Sequence, residues 1–163
     1  MKKRSASFSG VIKSEGGTMK CYGVSQGYYA VKTGVAIGTS SLGSCFALIA
    51  TRGAKVFLAH VQAGTTATSL VEAVAAAFGD EGPKKVLIVR GAGYSDSTDQ
   101  IIEALAEALK PELETSASGS VVMDFSSLSK PANIEPTNRD RYRANNLKGG
   151  ALPNGSAIVA MDD

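Results

Sequence analysis

Histidine is almost missing from this chain: among 163 residues only His60 carries an imidazole, and tryptophan is absent altogether. Cysteine is scarce as well, with Cys21 and Cys45 the two thiols. One histidine and two separated cysteines cannot supply a zinc-type ligand set, so no metal is expected. Two cysteines also fall short of the frameworks that staple small secreted domains, and a chain of this length buries roughly 68–70% of its unfolded surface without staples. A net charge of +2, with no Lys/Arg cluster interleaved with aromatics, excludes a nucleic-acid footprint. No stretch approaches the ~20 apolar residues of a membrane helix. The expectation is a soluble chain with no cofactor and neither nucleic acid nor membrane as partner.

The amino-terminal segment, residues 1–18, holds Lys2, Lys3 and Arg4 and then serine and glycine. It lacks the apolar run of ~7–15 residues that a secretory signal needs, and it reads as a flexible leader. Such a leader is compatible with the export signals of injected bacterial effectors. A single domain is expected over residues 19–163. Strands are expected at residues 19–24, 28–33, 35–39, 86–89 and 121–125, with a last one at 156–161 after the Asn154-Gly155 turn. Ser69-Leu70-Val71-Glu72 fits a capping box and predicts a helix ending at Gly79, while Ser97-Thr98-Asp99-Gln100 predicts a second that Pro111 ends. Residues 126–150 read as a polar loop with Arg139, Arg141 and Arg143. The fold class expected is α+β: a single-domain, β-sandwich-like core of mainly antiparallel strands with two helices packed against it.

Cys45 and His60 fall on one hairpin. Residues 45–51 and 56–60 are apolar, and Arg52-Gly53-Ala54-Lys55 between them is turn-like. Paired residue numbers in an antiparallel hairpin add to a constant. A two-residue turn at Arg52-Gly53 makes that constant 105 and sets Cys45 opposite His60; a four-residue loop makes it 107 and sets Cys45 opposite position 62, with His60 its diagonal neighbour. Both registers put thiol and imidazole on one face, because side-chain direction has period 2. A thiol of ordinary pKa is a poor nucleophile at neutral pH without a base or cation beside it. His60 is the base available. A Cys21–Cys45 bridge would consume that nucleophile, and Cys21 is expected as a small core residue.

Ahead of the thiol, Leu42-Gly43-Ser44 makes a small flexible turn whose backbone N–H groups can converge on one point. The N–H groups of Cys45, Ser44 and Gly43 are therefore the candidate oxyanion donors. Ser40, Ser41 and Gln62 are candidate cleft residues. Gly91-Ala92-Gly93, between a strand and a helix, lacks the third glycine and the acidic partner of a dinucleotide fingerprint.

Thr39, the Leu42-Gly43-Ser44-Cys45 tetrapeptide and His60 together resemble the active-site pattern of bacterial protein glutamine deamidases of the CheD and cytotoxic necrotizing factor type. Cys-to-His and Thr-to-Cys separations here are fifteen and six. The resemblance covers about residues 35–93 and implies Cys45 as nucleophile, His60 as base and Thr39 as the residue that supports the histidine. Val61-Gln62-Ala63-Gly64 stands where CheD proteins usually carry a Leu-Pro pair, and a translocated effector or toxin fits that departure as well as a chemotaxis enzyme does. The implied reaction is hydrolysis of a glutamine side-chain amide to glutamate through a thioester. It implies a protein substrate bearing the target glutamine, a monomeric enzyme, and action in the bacterial cytoplasm or inside a host cell. The same dyad also serves a transglutaminase-like enzyme or a cysteine peptidase, and the fold also serves a non-catalytic binding module.

Overall fold

The computed structural model describes residues 11–13, 22–93, 96–117 and 119–124. Cys21, the loop at 126–150 and the turn and strand expected at 154–161 lie outside the described residues. The strands are β1 (Val11–Lys13), β2 (Tyr22–Gly23), β3 (Tyr29–Thr33), β4 (Ile37–Thr39), β5 (Phe46–Arg52), β6 (Lys55–Val61), β7 (Lys85–Gly91), β8 (Glu112–Ser116) and β9 (Val121–Asp124). The helices are α1 (Ala67–Phe78) and α2 (Asp96–Leu109), with a 3-10 turn over Gly79–Glu81.

Two sheets form: a four-stranded one in the order β1-β9-β4-β2 and a five-stranded one in the order β3-β6-β5-β7-β8. All pairings are antiparallel except β2 with β4 and β7 with β8. The α+β class with two helices and mainly antiparallel strands is as the sequence predicts. None of the described helices is long and apolar enough to cross a membrane.

The five-stranded sheet lies in the middle. Its inner strands β5, β6 and β7 read as nearly continuous apolar runs because both faces are covered, so the period-2 polar alternation of a half-exposed strand is lost. Phe46, Leu48, Ala50, Phe57, Ala59, Val61, Val86 and Ile88 pack with Leu70, Val74, Ile102 and Leu105 of the helices. The other face carries Cys45, Ala47, Ile49, Val56, Leu58, Leu87 and Val89, packed with Ile37, Val121 and Met123 of the four-stranded sheet. Residue parity therefore sorts each side chain into one of two cores. Cys45 belongs to the core between the sheets.

Three local expectations need correction. The first helix starts at Ala67, before the expected capping box, because Thr66 is the N-cap and accepts from the Ser69 N–H. It ends where predicted, with Gly79 at φ +65°. The second helix starts at Asp96, so Ser97-Thr98-Asp99-Gln100 lies inside it, and Asp99 pairs instead with Arg90 of β7 at 2.7 Å. Val11–Lys13, placed by sequence in a flexible leader, forms β1 on the edge of the four-stranded sheet against β9. A second unexpected strand is β8, polar Glu-Leu-Glu-Thr-Ser, which pairs in parallel with β7 after the α2 crossover.

Candidate active site

The hairpin register sums to 107, reached through a two-residue turn at Gly53-Ala54 and not through the four-residue loop expected with that sum. Phe46 faces Val61, Ala47 faces His60, and Arg52 faces Lys55 across a Gly53-Ala54 turn in which Gly53 takes φ +60°. Extended by one step, that register sets Cys45 opposite Gln62 and makes His60 its diagonal neighbour on the same face. Such diagonal positions lie about 7–8 Å apart in a sheet. Ala47, the residue directly opposite His60, is small, which leaves the imidazole room beneath the facing sheet.

His60 is 1% exposed and Thr39 is 1% exposed. Thr39, from the four-stranded sheet, reaches across the interface and brings its Oγ1 to 2.8 Å from His60 Nδ1. The same Oγ1 lies 2.6 Å from the Val24 carbonyl. Proton counting assigns the tautomer. A carbonyl can only accept, so the single Thr39 proton goes to Val24; the hydroxyl must then accept from Nδ1–H of His60. Nε2 is left with its lone pair. It is buried and makes no hydrogen bond, to Cys45 or to anything else among the described residues. A buried acceptor left without a partner costs about 1–3 kcal/mol, so this nitrogen is set up to receive a proton donor.

Cys45 is a free thiol, 6% exposed. Burial pushes its pKa above the ordinary 9.0, and a hydrogen bond with the Ser44 side chain offsets part of that rise. Burial also lowers His60 to about 4. At neutral pH both groups are consequently uncharged, and the thiolate–imidazolium pair lies uphill. Iodoacetamide should then alkylate Cys45 with a rate still climbing past pH 9, since less than about 1% is thiolate at pH 7 when the pKa exceeds 9.0. Mass-spectrometric rates from pH 5 to 10 check this. A plateau between pH 5 and 8 would show a preformed ion pair instead.

The loop ahead of the thiol is fixed by backbone contacts that the sequence did not reveal. Leu42 N–H donates to the Gly119 carbonyl at 3.0 Å, Gly93 N–H to the Gly43 carbonyl at 3.0 Å, and Gly91 N–H to the Cys45 carbonyl at 3.2 Å. Gly91 lies directly beneath the loop: a Cβ there would stand 2.4 Å from Gly43 O and 2.6 Å from Gly43 N. Gly91-Ala92-Gly93 is thus a seat for the loop ahead of Cys45. The signal available in sequence was a glycine pair closing a buried strand, which does not say what approaches it.

One proposed oxyanion donor is already engaged. The Cys45 N–H donates to the Leu42 carbonyl, closing the turn. The N–H groups of Gly43 and Ser44 have no hydrogen-bond partner among the described residues, and both residues are exposed. Gly43 holds φ +39° and Ser41 +59°, both left-handed conformations. Ser40 and Ser41 make no contact that separates them from ordinary loop residues, whereas Gln62 accepts from Gln26 Nε2 at 2.8 Å. Among the described residues no cluster of His, Cys, Asp and Glu could hold a metal.

The arrangement can do base-assisted thiol chemistry. It offers a thiol, an oriented lone-pair nitrogen on the same sheet face, and two backbone N–H groups without a described partner one and two residues before the thiol. The chain matches no protein-family model and no curated protein.

Proposed function

We propose that this protein is a cysteine-dependent amidohydrolase that converts a protein glutamine to glutamate. The observation that carries this reading is the unpartnered Nε2 of His60, its tautomer set by Thr39, on the sheet face that also bears Cys45. The resemblance of Thr39, Leu42-Gly43-Ser44-Cys45 and His60 to the CheD and cytotoxic necrotizing factor deamidases supports the choice of glutamine over other amides.

In the proposed reaction the carboxamide enters over the Leu42–Cys45 loop. Because the resting pair is uncharged, the Cys45 proton passes to His60 Nε2 as sulfur bonds to the carbonyl carbon. Gly43 and Ser44 N–H groups hold the oxyanion. The His60 imidazolium, a strong acid in its buried setting, gives its proton to the departing nitrogen, and ammonia leaves. Water, deprotonated by His60, then adds to the thioester; sulfur leaves and is reprotonated, and the substrate ends as glutamate. Thr39 touches no reacting atom and acts as a positioning residue. The substrate is a protein, and the reading retains a monomer acting in the bacterial cytoplasm or in a host cell.

The test is peptide-level mass spectrometry of a cell lysate treated with the protein. Wild type should produce discrete Gln-to-Glu conversions, each adding about one mass unit as NH₂ is replaced by OH, with ammonia released. Cys45→Ser and His60→Ala, folded by circular dichroism, should each lose at least about a hundredfold in rate. New chain termini would point to a peptidase, and amine adducts to a transglutaminase. Conversions that persist in Cys45→Ser would sink the mechanism.

A further inference from the structure

The hydrogen-bonded pair Gln26 and Gln62 is not used by the chemistry above. Gln62 follows β6, and extending the hairpin register by one step sets it opposite Cys45, with the parity of the face that carries Cys45 and His60. Gln26 is brought there by the turn between β2 and β3, where Gly27 N–H donates to the His60 carbonyl and His60 N–H to the Tyr28 carbonyl, both at 3.0 Å. Gln26 Nε2 donates to Gln62 Oε1 at 2.8 Å. That bond sets the two amides side by side. It leaves the Nε2 hydrogens of Gln62 as donors and Oε1 of Gln26 as an acceptor.

We infer that Gln62 and Gln26 form a recognition ledge for a primary carboxamide at the mouth of the Cys45 cleft. The inference rests on the proposed deamidation reading and names the group that the site selects. A primary carboxamide carries its carbonyl oxygen and an N–H on the same edge, so it can accept from Gln62 and donate to Gln26 together. A trans peptide bond presents those groups on opposite sides and can satisfy only one. A carboxylate has no N–H, and its oxygens would face the Gln26 carbonyl lone pairs. Sites built to hydrogen-bond a polar group reject analogues that lack it. The ledge therefore favours side-chain amide over main-chain amide, and turns against the glutamate product once nitrogen has left.

The probe is a pair of small thiol reagents, iodoacetamide and iodoacetate, which deliver a carboxamide and a carboxylate to the same sulfur. Peptide mapping after alkylation at pH 8.5 separates Cys45 from Cys21. Relative to the rate ratio for glutathione, Cys45 should prefer iodoacetamide by about tenfold or more. Gln62→Leu and Gln26→Leu, which leave net charge unchanged, should each bring the normalised ratio close to one. Gln26 is exposed and Gln62 half-buried, so neither change threatens the fold. A ratio unaltered by both substitutions, or a Cys45 that admits neither reagent in the folded protein, overturns the ledge. Absence of Gln-to-Glu conversion alongside an intact, ledge-dependent preference would remove the reaction and leave the ledge standing.

Discussion

Thr39→Val should cut the proposed glutamine deamidation about a hundredfold or more while leaving the fold in place. Valine matches threonine in shape but cannot accept from Nδ1–H, so the buried N–H of His60 loses its only described partner. An unpartnered buried donor costs about 1–3 kcal/mol on either nitrogen, so without the hydroxyl nothing holds the proton on Nδ1 and the imidazole is free to carry it on Nε2. The nitrogen that should receive the Cys45 proton is then already protonated. Base catalysis of this kind commonly supplies 10²–10⁴-fold, which sets the expected loss. Thr39→Ser, which keeps the hydroxyl, should recover most of the rate. Nitrogen-15 NMR gives a readout that does not depend on turnover, because the chain has a single imidazole to observe. Wild type should show protonated Nδ1 and bare Nε2 at pH 7, staying neutral until the pH falls toward 4, the value to which burial lowers His60. Thr39→Val should move the proton toward Nε2. An unchanged tautomer would remove the positioning role.

Gly91→Ala carries the second large effect, this time on stability and on the loop. The new methyl would meet Gly43 O at 2.4 Å, Gly43 N at 2.6 Å and Leu42 C at 2.8 Å, all backbone atoms with no rotamer to turn away. Overpacking costs typically 1–3 kcal/mol and occasionally more, and an unyielding neighbour puts this site at about 3 kcal/mol. For a chain of this size that is a fall in Tm of roughly 6–12 °C. Gly53→Ala is the control: its φ is +60° but nothing lies within 4 Å, so it feels only the left-handed backbone penalty of about 1–2 kcal/mol, far from the thiol. Scanning calorimetry of the two variants separates the effects. Gly91→Ala should also speed Cys45 alkylation, since the loop must lift off its seat. A Tm no lower than that of Gly53→Ala would show that the loop yields freely and that Gly91 does not hold it.

Much of this site is legible in sequence because its chemistry is concentrated in one hairpin. The apolar runs around Gly53-Ala54 define β5 and β6, and period 2 places Cys45 and His60 on one face in either candidate register. Which register holds depends on how the turn closes, and that is decided by Gly53 taking a left-handed φ. Thr39 could be named by resemblance, but its link to His60 crosses between two sheets. No local pattern contains that distance. The sequence points to Ser69 and not Thr66 as the helix cap, because Ser69 and Glu72 form a capping-box pattern three residues later. β8 was missed because a polar edge strand has no inward alternation to read; its partner β7 supplies the pairing. The seat under the nucleophile loop was hidden for a similar reason. A glycine chosen for the absence of a side chain leaves no trace of the backbone that comes close to it.

The Thr39–His60 contact also bears on how the two sheets stack. Apolar faces attract without direction, so a Val-, Ile- and Leu-rich interface tolerates sliding by a fraction of a residue. A hydrogen bond of 2.8 Å tolerates very little, since it weakens steeply with angle and distance. Placed where one sheet faces the other, it works as a dowel between two planks: the grain of each runs its own way, and the peg fixes where they meet.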